Sequence, residues 1–158
     1  MGMKVSSGLF IGTSGYYASL FEDIVRQKAN DGRGLLDLTK LPGKNGIDVK
    51  KRLTQDQMEY LTQKYGVEFA QVYIYGKGKN GGGGKYRLYS GDEKSVVVPL
   101  RKDIMLISHT HPRGTPYASA KDLRLMSYLK LLGSPQNTSF VYPVGEPAVK
   151  FDQKRRKI

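Results

Sequence analysis

Cysteine is absent from this 158-residue chain, which removes a disulfide framework, a thiolate zinc site and a cysteine nucleophile together. Any metal must therefore be held by nitrogen and oxygen ligands. Histidine is nearly as scarce, with two in the whole sequence. No apolar run approaches the ~18 residues of a membrane-spanning helix, and the opening Met1-Gly2-Met3-Lys4-Val5 leads into no secretory signal, so no membrane insertion is expected. Acidic residues are few: 14 Asp and Glu stand against 26 Lys and Arg, a formal net charge of +12. That surplus would steer the chain toward phosphate backbones, acidic proteins or anionic lipid surfaces. The basic residues are scattered, with groups in 40–52, 77–87 and 154–157, and have no aromatics interleaved at a regular interval, which favours a solvated basic surface over specific nucleic-acid recognition.

There is no internal repeat, and the length suits one domain that buries roughly two thirds of its unfolded surface. The run Gly81-Gly82-Gly83-Gly84-Lys85 fails as a phosphate-binding loop, because Lys79 occupies the place of the first glycine and Tyr86 the place of Ser or Thr. It reads as a hairpin connection.

Residues 1–53 carry weak signals, with a helix suggested over Tyr16 to Gln27, and are expected to be an N-terminal extension. A short Gly- and Ser-rich lead is also what the cut end of a larger polypeptide looks like. Thr54-Gln55-Asp56-Gln57 is a capping box, opening a helix with Met58, Leu61 and Tyr65 on one face and a stop at Gly66. The organised part, 54–158, is expected to start there. Val67 to Tyr75 reads as a strand with Glu68, Ala70, Val72 and Ile74 on one side. Tyr86 to Tyr89 and Ser95 to Val98 would complete an antiparallel meander with it. Ile104 to Ser108 is apolar on both faces, as a buried central strand should be. A helix follows from a Ser119 cap to Leu132, closed by Gly133, and Ser139 to Val144 and Ala148 to Phe151 supply two further strands. The sum is a mixed α/β (α+β) domain.

Both histidines lie in the fourteen residues from His109 to Asp122. On a strand, His109 and His111 point to one face about 6 to 7 Å apart, expected to be the side of Met105 and Ile107. In the helix after Ser119, Asp122 heads a stripe completed by Leu125, Met126 and Leu129. A bare carboxylate aimed at a core costs several kcal/mol or takes up a proton, so it asks for a positive partner. A metal on the two imidazoles would supply one. Two His and one Asp leave a tetrahedral zinc a fourth position for water, the catalytic arrangement. Such chemistry also needs an acid that does not ligate the metal to shuttle the proton. Glu68 is the candidate, since Glu22, Glu59, Glu93 and Glu146 fall in exposed or loop contexts. Ser119 would donate to the oxyanion. Each has a plainer role: Glu68 as a strand residue, Ser119 as a cap, Asp122 as a partner of the helix dipole.

A Glu on an early strand, then His-x-His-Pro, six residues and Ser-x-x-Asp, resembles the JAMM motif of the JAB/MPN metallopeptidases. The spacing and the Gly114 to Pro116 interval are most similar to RadC-like and bacterial JAB-toxin members. The resemblance spans about 54–152. It implies a cytidine-deaminase-like central sheet flanked by helices; Zn2+ on His109, His111 and Asp122; Glu68 as general acid and base; and Ser119 as oxyanion donor. It further implies hydrolysis of a peptide or isopeptide bond in a protein substrate such as a ubiquitin-like conjugate. The resemblance extends to a bacterial toxin or effector with a cognate immunity protein, placed in the bacterial cytoplasm or delivered into a target cell. A processing isopeptidase for a ubiquitin-like modifier and a RadC-like, nucleic-acid-associated protein are the alternatives.

Overall fold

A computed structural model describes residues 2–5 and 41–158. The helix expected over Tyr16 to Gln27 lies outside them. Besides two 3-10 turns, Gly43–Asn45 and Lys79–Gly81, the described elements are β1 (Gly2–Val5), β2 (Ile47–Val49), α1 (Gln55–Tyr65), β3 (Phe69–Ile74), β4 (Lys85–Ser90), β5 (Ser95–Val98), β6 (Ile104–His111), α2 (Ala120–Leu131), β7 (Thr138–Pro143) and β8 (Val149–Asp152). A six-stranded mixed sheet runs in the order β2-β4-β3-β6-β7-β8, and β1 and β5 form a separate pair. None of the described helices is long and apolar enough to cross a membrane.

Both helices begin as their sequences dictate. Thr54 and Gln57 form a reciprocal capping box, and Gly66 closes α1 in the left-handed region at φ 70°, where a side chain would be strained. Ser119 and Asp122 form the second box. Met58 and Leu61 of α1 pack with Ile47, Val49, Leu53, Phe69 and Leu88 on one face of the sheet. Leu125, Met126 and Leu129 of α2 pack with Ala70, Val72, Ile104, Leu106 and Phe151 on the other. Burial of apolar area on both faces, at roughly 25 cal/mol per Å2, holds the three layers together.

Four findings differ from the sequence reading. β5 does not continue the meander of β3 and β4: it pairs in parallel with β1, Ser95 opposite Gly2 through Val98 opposite Val5. The partner is some ninety residues away, beyond the reach of local periodicity. β3 begins at Phe69, so Glu68 stands just before the strand, although its backbone is paired through Glu68 N–H to Asp92 O and Gly91 N–H to Glu68 O. The third concerns β6. Gln71 pairs with Ser108 but Val72 with Leu106, so Ile107 is an extra residue, a β-bulge that inverts the alternation beyond it. His109 and His111 therefore share the α2 face with Ile104 and Leu106, not the side of Met105 and Ile107. The sheet also begins before Thr54, since β2 pairs with β4 and Leu41, Ile47, Val49 and Leu53 are buried in the core.

Candidate metal centre

β6 lies between antiparallel β3 and parallel β7, and its last residues carry the two imidazoles onto the face that α2 covers. The capping geometry at Ser119 then turns the first turn of α2 toward them. Ser119 Oγ accepts from the Asp122 N–H at 3.1 Å, and Asp122 Oδ2 accepts from the Ser119 N–H at 2.8 Å. One carboxylate oxygen thus lies 3.0 Å from His109 Nε2 and 3.4 Å from His111 Nε2. The two Nε2 atoms are 3.2 Å apart. All three residues are fully buried.

Those three separations fit the edges of a tetrahedron around a metal with ligands at 2.0–2.1 Å, for which an edge is about 3.3 Å. Between three atoms this close, either Nε2–H protons or a shared cation must bridge the lone pairs. Glu68 is also fully buried. It joins the histidines in a group whose potential ligand atoms all lie within 4.8 Å of one another. The structure thus gathers Glu68, His109, His111 and Asp122, and sets Ser119, half-buried, at the edge of the cluster as the α2 cap.

Burial pulls the His109 imidazole below its ordinary pKa, outweighing the opposite pull of Asp122. Burial alone would raise the Asp122 carboxyl, but the neighbouring His109 and His111 and the Ser119 N–H overcome it and hold the group far below the usual carboxylate range. At neutral pH an anionic Asp122 therefore faces a neutral His109, with the N-terminal dipole of α2 adding positive potential. Neutral imidazole and carboxylate are the protonation states that a divalent cation requires.

Two supports escaped the sequence reading. His111 Nδ1 is 2.9 Å from Thr115 O, so Nδ1 carries the proton and Nε2 presents its lone pair to the cluster. The donor's partner is a backbone carbonyl, which leaves no trace in side-chain pattern. Its loop is shaped by Gly114 at φ 74° and tied by Gly114 N–H and Val144 N–H to His111 O. Phe151 sets its ring edge-on to His109 at 5.8 Å and 90°. His109 Nδ1 is buried with no hydrogen-bond partner among the described residues, so the ring is held through Nε2 and by its contacts with Phe151 and His111. At the surface, Arg113 reaches Glu93 at 3.4 Å, joining the loops beside His111 and Glu68, with both side chains more than half exposed. An ion pair so solvated contributes little.

Comparison of the chain with protein-family models, with curated proteins and with solved structures returns no match.

Proposed function

We propose that the protein is a metal-dependent hydrolase of JAB/MPN type, a zinc peptidase or isopeptidase. One observation supports this above the others: two Nε2 atoms and one carboxylate oxygen converge at 3.0 to 3.4 Å in a fully buried cluster with Glu68 beside it. His109, His111 and Asp122 would hold the ion. When bound, zinc supplies Lewis acidity and brings the pKa of a coordinated water toward ~7. Glu68 would take the proton of that water and pass it to the departing amine. Ser119 Oγ accepts from the Asp122 N–H but keeps its own proton, which is free to be donated to the developing oxyanion. The substrate would be a polypeptide, such as a ubiquitin-like conjugate or the target of a bacterial toxin that an immunity protein restrains.

The deciding experiment is elemental analysis of purified wild type and His111→Ala after dialysis against metal-free buffer. Near one zinc per chain in the wild type, lost in the variant, is expected. Expression of wild type and Glu68→Ala then separates hydrolase from binding protein. Growth arrest that Glu68→Ala abolishes supports hydrolysis. The net charge of +12 supports a second reading, a RadC-like nucleic-acid-associated protein. DNA binding that falls steeply with salt and is untouched by Glu68→Ala would favour it.

A further inference from the structure

The ladder between β3 and β6 stops at Ala70 opposite His109, although β6 continues along β7 through Thr110 and His111. One more step would set Phe69 opposite Thr110, and a second would set Glu68 opposite His111. In place of that step, the Phe69 N–H donates to Thr110 Oγ1 at 2.9 Å. Thr110 Oγ1 donates in turn to Thr62 Oγ1 of α1 at 2.9 Å, and Thr62 Oγ1 donates to Val67 O. These bonds run in one direction from the N–H of residue 69 to the C=O of residue 67, grasping the backbone on both sides of Glu68. Thr62 and Thr110 are fully buried, with no water to replace either bond.

We propose that the Thr62 and Thr110 hydroxyls are a positioning clamp for Glu68. They part the strands at the one place where a directly paired Glu68 would be pressed against His111, and they fix how far its carboxylate stands from the imidazoles. A continued ladder would hold opposing Cα atoms about 4.5 to 5.5 Å apart; here the Phe69 N–H turns instead to the Thr110 side chain. Neither hydroxyl is bonded to a cluster atom: that of Thr110 meets Phe69 N and Thr62 Oγ1, and that of Thr62 meets Thr110 and Val67 O. The clamp rests on the hydrolase reading, in which Glu68 works beside the metal without ligating it.

Thr62 is the better probe because it is 48 residues from Thr110 in sequence and adjoins no metal-cluster residue. Wild type, Thr62→Val, Thr62→Ser and Glu68→Gln are loaded with Co2+, and cobalt content and visible spectrum are recorded, since the d–d bands report the groups around the ion. Equal cobalt in all four is expected, with Thr62→Val displaced from the wild-type spectrum toward that of Glu68→Gln and Thr62→Ser restoring it. A Thr62→Val spectrum identical to wild type, with only a lower melting temperature, overturns the clamp while leaving the metal reading intact. A wild type that binds no cobalt overturns the metal reading and the clamp with it. Should Thr62→Val fail to fold, Thr62→Cys, a weaker donor of serine's shape, replaces it with the same two outcomes.

Discussion

The last four residues of β6 show two different chemistries on their two faces. Ser108 and Thr110 turn toward α1 and meet neutral partners: Gln71 Nε2 donates to Ser108 Oγ and to Leu53 O, Gln71 Oε1 accepts from the Leu53 N–H, and Thr110 joins Thr62. His109 and His111 turn toward α2 and meet an anion, with three donor atoms converging at 3.0 to 3.4 Å and His109 Nδ1 without a partner among the described residues. Both faces are dry. On the first, every polar group named has a protein partner, which is how a buried polar network earns stability. On the second, burial opposes the Asp122 anion, and His109, His111 and the Ser119 N–H hold it ionised. Buried ionisable groups gathered in this way mark a candidate functional site, and their donor types are ones that a metal accepts.

The comparison breaks most sharply at Asp122. Asp122→Ala should lower zinc affinity by more than the 10–100-fold typical of losing an outer partner of a ligand, measured by competition with a chromophoric chelator. Unchanged affinity would mean that Asp122 serves α2 as a capping residue and nothing more. The opposite face gives the converse experiment. Gln71→Leu strands the Leu53 N–H and C=O, so it should cost about 1–3 kcal/mol of stability in urea unfolding while zinc stoichiometry stays as in the wild type. Loss of zinc in that variant would show that the two faces are not independent.

Ser119 lies where the two roles overlap. Ser119→Ala should cost about 1 kcal/mol through the lost cap, read from thermal unfolding of the metal-free protein. If the hydroxyl also stabilises an oxyanion, kcat on a substrate falls by roughly 10^2 to 10^3 with little change in KM. A fall in stability with unaltered kcat would leave Ser119 as a cap.

What was legible in the sequence follows from the range of each interaction. The two capping boxes span three residues each, and the Asp122, Leu125, Met126, Leu129 stripe spans two turns, so both could be read locally and the structure bears them out. The grouping of His109, His111 and Asp122 was readable because a strand, a loop and a cap connect them within fourteen residues. Glu68 was reached through its expected face, and it does join the histidines. The bulge at Ile107 was not legible: strict alternation is the only rule a lone strand offers, and the extra residue shows itself only against β3. The pairing of β5 with β1 and the inclusion of β2 in the sheet depend on distant partners. Thr115 acts through its carbonyl, and Thr62 reads as an ordinary polar residue on a helix until Thr110 is seen beside it.

The smallest effect concerns the charge asymmetry of the two faces. His109 is held below its ordinary pKa by burial, so in the metal-free protein the unfolded chain binds a proton near pH 6.5 that the folded chain refuses. The unfolded state then carries more protons, and stability falls as pH drops through that value. Asp122 has the opposite pairing of charge and shift but the same sign: its stabilisation is complete above about 3.8 and is lost only in strong acid. Between pH 7 and 6 the slope therefore belongs to His109 rather than Asp122, at less than about 1 kcal/mol. Urea unfolding in chelator at these two pH values should show it, and His109→Gln should flatten it. The neutral Gln71 and Thr110 face contributes nothing to such a slope, so Thr110→Ser should retain it in full. A slope that persists in His109→Gln would remove the burial penalty from His109 and, with it, the contrast between the two sides of the strand.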